Sequence, residues 1–342
     1  MRNERIDFLR FLGLCMIILA HVDPSDGLFQ LRNFDVPLMV LISGVSFGLS
    51  YKGEPYGSYV WKRVKRLLLP VWIFLTGYYL VLYLTEFPTP LPDKTKVIAT
   101  FMLLIGYVWI IRVLLLVALL SPFIYKQHTT AKTPRRYFIL LAAVFVVNEL
   151  LLWQARPYLE TRLGQLLGEA AFSILPYAVL FGLGLRLPTM TKRQLVGSAA
   201  FFTALFGVLA FLFAQDAGRF VQTQDFKNPP SMYYFSYALA VSFVAWLTGD
   251  FFVAVFQKVK LYGVVKFIAQ NSFWIYLWHI PFLDVYHGPW IKGQPGAGFK
   301  YTCVFLTSAL IVLVQVNLVR KVILPRLKSK DVQKNVNILF TG

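Results

Sequence analysis

The chain has 342 residues, of which 57% are hydrophobic and only 15% charged, yet its formal net charge is +18. A soluble domain of this length carries far more charge, so the composition excludes an ordinary globular protein and points to a polytopic membrane protein. The basic residues cluster at the ends of apolar segments, which fits the membrane-orientation bias and argues against a nucleic-acid partner.

With about 17–25 apolar residues as the length of a span, the sequence predicts an all-α bundle of ten spans. The first is Ile6–Val22, with no small-residue cleavage site after it, so it is expected to remain as a span rather than be removed as a signal peptide. Phe34–Ser50 follows, then a KGEPYG loop and the basic run WKRVKR ahead of the third span, Leu67–Thr85. After a Pro-rich loop, 97–106 is apolar but too short to cross. It is expected as a partial helix joined to the fourth span, Tyr107–Tyr125. The remaining spans are Tyr137–Trp153, Ala171–Leu187, Leu195–Ala214, Met232–Phe256, Val265–Leu283 and Phe299–Val319. Residues 1–325 read as one transmembrane domain and 326–342 as a basic cytoplasmic tail, with no internal repeat. Placing both termini in the cytoplasm puts most Lys and Arg inside, and an even number of spans agrees with that parity. Cys15 and Cys303 lie in apolar segments and read as small buried hydrophobes, not a disulfide framework.

Polar side chains in hydrocarbon are costly and are by default functional candidates. The first span, RIDFLRFLGLCMIILAH, holds three: Asp7, Arg10 and His21. On an ideal helix, eleven steps bring Arg10 and His21 to within about 20° of one face and roughly 16 Å apart. His21 has the chemistry of a general base, or it is an interfacial histidine bonded to water or a loop. Asp35 and Asp23 stand near the same level, either to orient its ring or as helix caps. Arg63 and Arg66, three residues apart, either grip a polyphosphate from one helix face or anchor the chain to anionic lipid. Arg112 lies a few residues into a span, to snorkel or to pair with a carboxylate such as Glu149. His279 ends the ninth span beside Tyr276 and Trp278, which otherwise read as an interfacial aromatic belt. Ser43-Gly44 suits close helix packing or a bend. No spacing suits a metal site, a P-loop or a nucleophile elbow.

Four segments in order resemble the integral-membrane acyltransferase family three, whose members O-acylate polysaccharides, lipid-linked sugars and related glycans. RIDFLRFLGLCMIILAH is similar to the family's opening segment, with Arg10 and His21; PLMVLISGVSFG to its second-span motif; KRVKRLLLP to its Arg-x-x-Arg motif, with Arg63 and Arg66; NSFWIYLWHIPF to its tyrosine-leucine-histidine motif. The resemblance covers nearly the whole chain. It implies an acyl-CoA donor, usually acetyl-CoA, on the cytoplasmic side, with Arg63 and Arg66 on its phosphates and Arg10 lining the path. His21 would be the catalytic histidine. From the residues themselves, Asp35 is expected beside it in the catalytic site, and His279, Tyr276 and Arg112 are expected to bind substrate. No metal is implied. The expected acceptor is a surface glycan or lipid-linked sugar at a bacterial-type plasma membrane, reached directly or through a separate acyl-accepting envelope protein. Some members carry a fused esterase-like domain; a stand-alone form is expected here. Transfer can run directly, with His21 as base, or through an acyl-histidine. Two rivals remain: a transporter or flippase with Arg10, His21 and Arg112 along its path, and acylation of a cytoplasmic small molecule such as a macrolide.

Overall fold

A computed structural model describes residues 3–287 and 295–341. Among the described residues the chain is built from helices: α1 (Glu4–Leu19), α2 (Asp26–Leu31), α3 (Asp35–Ser50), α4 (Tyr56–Arg63), α5 (Leu69–Thr85), α6 (Lys94–Phe101), α7 (Trp109–Thr130), α8 (Pro134–Ala155), α9 (Arg162–Arg186), α10 (Lys192–Ala217), α11 (Met232–Lys258), α12 (Tyr262–Gln270), α13 (Ser272–His287), α14 (Ala297–Leu318), α15 (Leu324–Arg326) and α16 (Lys330–Thr341). Local chemistry sets several ends. Asp93 caps α6 by accepting from the Lys96 N–H, and Thr191 with Gln194 forms a capping box at the start of α10. Gly218, at φ +66°, ends α10 in the left-handed region where glycine carries no Cβ penalty.

Eight helical segments among the described residues are long and apolar enough to cross a membrane, from Asp26–Ser50 to Ala297–Arg326. They match eight of the ten expected spans. The other two are the first, α1, of 16 residues, and the ninth, which breaks at Asn271 into the 9-residue α12 and the 16-residue α13. A 16-residue helix is about 24 Å long, short of a hydrocarbon core of roughly 30 Å. Long helices turn bulky apolar groups outward, as Phe211 and Leu212 on α10 and Leu310 and Val314 on α14 do. In lipid that exposure carries no hydrophobic penalty.

Four expectations change in detail. The first helix stops at Leu19, and His21 sits in a tighter turn in which its N–H donates to the Ile18 carbonyl. The 100°-per-residue projection from Arg10 therefore fails over the last two residues. The fourth span starts later than expected: α6 ends at Phe101, the chain breaks at 102–105 with Leu103 at φ +59°, and a 3-10 turn at Gly106–Val108 leads into α7. Tyr107 thus lies in a break, not in a span. The basic run is divided, with α4 ending at Arg63 and a π-helical turn over Val64–Leu68, so the plain i,i+3 face shared by Arg63 and Arg66 does not hold. The expected tail is a folded helix, α16, with Thr341 buried.

The chain packs as two compact units. The first comprises residues 1–13, 27–53 and 116–259. Its tightest point is the crossing of α3 and α9: a Cβ added at Gly44 would lie 2.2 Å from the Phe181 carbonyl oxygen, and one at Gly184 2.0 Å from that of Leu41. Only glycine lets the two backbones approach so closely, which bears out the close-packing reading of Ser43-Gly44. The early turns of α1 pack on α11, with Phe8 stacked on Phe252 at 5.3 Å and Arg5 in an ion pair with Asp250. The second unit comprises residues 14–26, 54–115 and 260–342. Its core joins α13 to α14, with Phe74 of α5 edge-on to Trp278 at 5.5 Å.

Candidate active site

The run from Cys15 to Asp23 is fastened to α13 and α14 at three levels within the second unit. The Tyr301 hydroxyl donates to the Cys15 carbonyl at 3.3 Å. Higher up, the His21 ring meets the His279 ring at 5.1 Å between centroids and 25° between planes. Then Asp23, at φ +54°, accepts from Lys300 Nζ at 3.0 Å and from His287 Nε2 at 3.2 Å. Partial burial pushes the Asp23 carboxyl up, but the hydrogen bonds from Lys300 and His287 outweigh it and hold it below the usual range.

The histidine contact has a defined proton order. His279 is fully buried, and its Nδ1 faces the carbonyl oxygen of Tyr276, one turn back in its own helix. A carbonyl only accepts, so Nδ1 carries the proton and Nε2 of the neutral ring carries the lone pair. That Nε2 lies 3.1 Å from His21 Nδ1. With both rings neutral, His21 donates from Nδ1 and carries its lone pair on Nε2. One carbonyl thus sets the tautomer of two rings in series, and the second ring is left with a basic nitrogen. Tyr276 is itself fixed, because its hydroxyl donates to the Tyr107 carbonyl. The Tyr107 ring stands edge-on to His21 at 4.8 Å.

The break between α6 and α7 explains why these groups meet. Irregular backbone at membrane depth leaves carbonyls without helical partners, and each must be satisfied within the protein. The 3-10 turn presents the Tyr107 carbonyl to Tyr276 and its ring to His21, five residues before Arg112, which is half-buried on the first turn of α7.

The structure sorts the sequence candidates. His21, His279 and Tyr276 come together, with His279 and Tyr276 oriented toward the histidine pair and the 106–108 turn. Asp35 belongs to the first unit, 2% exposed, where it pairs with Arg32 at 3.2 Å and Lys227 at 4.0 Å. The ring partner of His21 within its own unit is the His279 imidazole, and Asp35 is held by its two cations within the first unit. Burial pulls Lys227 down to about 8 against the opposing pull of Asp35. Arg10 is also in the first unit, donating to the Ser46 hydroxyl at 2.8 Å, within the ISGVSFG segment. Arg63 lies over the Tyr59 ring at 4.8 Å, Arg66 is exposed, and the two like charges bear on one another. Lys62 pairs with Glu54, and Lys65 donates to Asn335 at 3.3 Å. Tyr107, Lys300 and His287 were not singled out as site residues. Gly106 was the available signal for Tyr107, since glycine inside an apolar run marks a break.

A family model described as an acyltransferase domain matches residues 3–314. The chain belongs to the acyltransferase 3 family. No curated protein and no solved structure matches it. Membership makes the protein a membrane acyltransferase. The family segment contains both histidines, the 106–108 turn and the Arg63/Arg66 pair, but ends before α16.

Proposed function

We propose that this acyltransferase 3 protein moves an acyl group, in the first instance acetyl, from cytoplasmic acyl-CoA to a hydroxyl of an extracytoplasmic polysaccharide or lipid-linked sugar. The observation that carries the reading is the chain from the Tyr276 carbonyl through His279 to His21, which leaves His21 Nε2 basic. A neutral imidazole so oriented takes the proton of an acceptor hydroxyl as its oxygen attacks the thioester carbonyl. The C–O bond forms, the C–S bond breaks, and the proton passes from His21 Nε2 to the departing CoA thiolate. His279 is the positioning residue of this pair, doing with a neutral acceptor what a carboxylate does for the histidine of a hydrolase triad.

Arg63 and Arg66 are assigned to the donor's phosphates: two like charges held near each other gain most when a polyanion sits between them. The charge bias of the spans places that cluster on the cytoplasmic side, where acyl-CoA is made. Arg10 is assigned to the donor path, and Arg112 to the acceptor. The compartment is a plasma membrane of bacterial type, and a separate envelope protein that receives the acyl group is the further partner.

Purified protein with labelled acetyl-CoA and extracted surface glycan, read by mass spectrometry, tests the reading. Acylated glycan from wild type and none from His21→Ala is expected. Label retained on the protein without acceptor indicates the acyl-histidine route. Absence of any acyl increment with wild type overturns the assignment, and a His21→Ala variant that still moves unmodified glycan establishes transport instead.

A further inference from the structure

Helix α16 lies beyond the matched family segment, and nothing in the acyl-transfer reading above uses it, yet it is tied into the second unit at its middle and at its end. Midway along it, Asn335 accepts from Lys65, between Arg63 and Arg66. Near its end, the Phe340 ring stacks on Trp274 of α13 at 6.3 Å and 12°, with Trp274 buried. Thr341 is 1% exposed, its hydroxyl satisfied by the Asn337 carbonyl at 2.8 Å.

Gln315, also outside the matched segment, joins this helix to the histidine-bearing one. Its Oε1 accepts from Trp278 Nε1 at 2.7 Å and its Nε2 donates to the Phe340 carbonyl at 2.7 Å. An indole N–H only donates and a carbonyl only accepts, so the amide has one useful orientation, and turning it over breaks both bonds. Trp278 immediately precedes His279, and Trp274 lies one turn below. Helix α13 needs such external anchors. It is short, it is separated from α12 at Asn271, and it contains Pro281, which removes one backbone N–H from its own ladder. Its upper end is held by His287 on Asp23; Gln315 and Phe340 hold the lower end.

We propose that Gln315 and α16 form a positioning brace for the histidine pair, holding α13 in the register that keeps His279 Nε2 on His21 Nδ1. Residues beyond the matched family segment then set the rate of acyl transfer without touching the substrate. The proposal rests on the acyltransferase reading for its kinetic arm only.

The test compares Gln315→Met, which removes both bonds at similar volume, with Gln315→Glu, which keeps the acceptor for Trp278 and loses the donor to Phe340. Two quantities are read: kcat and KM for acetyl-CoA, and the rate at which diethyl pyrocarbonate modifies His21, followed by mass spectrometry. Gln315→Met is expected to lower kcat about tenfold, the order of one well-placed hydrogen bond, with KM unchanged and His21 modified severalfold faster. Gln315→Glu should fall between it and wild type. Wild-type kcat and a wild-type modification rate in Gln315→Met overturn the brace. If the wild-type protein transfers no acyl group, the functional reading fails alone, and the modification rates still decide the brace. Should Gln315→Met not fold, Phe340→Leu, which loses the stack on Trp274 but keeps the backbone carbonyl, takes its place with the same expected directions and the same overturning result.

Discussion

Replacing His279 with leucine separates the role of its ring nitrogen from the space its side chain fills. The residue is fully buried, and leucine is close enough in volume that packing should largely survive. What disappears is the acceptor 3.1 Å from His21 Nδ1. His21 is then free to carry its proton on Nε2, the wrong nitrogen for a base, and its ring loses an orienting contact. Partners that orient a metal-bound histidine are worth about 10–100-fold, and a wrong tautomer in a Ser-His-Asp triad costs about 10⁴. The expected fall in kcat is about 10²–10³, or about 3–4 kcal/mol in the barrier. His279→Gln, whose amide can offer an oxygen to His21 and an N–H to the Tyr276 carbonyl, should lose only about tenfold. Transfer of labelled acetyl groups to glycan at saturating donor, with thermal unfolding in detergent as the folding control, measures both. A folded His279→Leu variant with kcat within about twofold of wild type would refute the proton order deduced from Tyr276.

Arg66→Ala and Arg63→Ala should each raise KM for acetyl-CoA about tenfold and leave kcat nearly unchanged, as expected for lost charge-assisted contacts to a non-reacting part of the donor; an unchanged KM removes the phosphate assignment. Gly184→Ala puts a methyl group 2.0 Å from the Leu41 carbonyl oxygen. The crossing must open by about 1 Å, and a loss of ~3 kcal/mol is expected in unfolding measurements, the upper end of overpacking costs because the clash is with backbone. Asp23→Asn probes a carboxyl held below its ordinary range by Lys300 and His287. A depressed folded value adds stability that is present above the unfolded value and lost as pH falls below ~4. The variant should therefore melt lower than wild type at neutral pH and converge with it in acid, and parallel curves across that range would show the contact contributes nothing.

The helical class was legible because apolar length is a property of the chain itself, and eight long segments need no tertiary information to be read. The histidines were legible as polar residues in costly places. Their pairing was not, because it joins residues 258 apart through a carbonyl whose availability depends on helix geometry. Asp35 shows a second limit. A carboxylate one loop away from His21 is a natural orienter by sequence distance, but its two nearby cations, Arg32 and Lys227, come from its own loop and from 192 residues further on. Arg63 and Arg66 show a third limit. Their spacing implies one face only if the helix is regular, and spacing alone does not reveal the π-turn over Val64–Leu68.

The irregular features of the second unit form one argument about cost. Two helices too short to span and one broken at 102–108 are what a membrane fold should avoid, because each exposes backbone groups that lipid cannot satisfy. Here His279 stands on one of the short helices, His21 in the turn that follows the other, and Tyr107 in the break. The Tyr107 carbonyl, exposed by the break, takes the Tyr276 hydroxyl, and the Tyr276 carbonyl takes His279 Nδ1. The bonds that make the break tolerable are thus the same bonds that order the two imidazoles. A fold that straightened α6 and α7 into one helix would gain backbone hydrogen bonds, but it would remove the acceptor that fixes Tyr276. The polar, interrupted backbone and the basic nitrogen of His21 depend on each other, which is why His21 stands just past a helix end and His279 on a short helix set off at Asn271, rather than on long, lipid-facing helices.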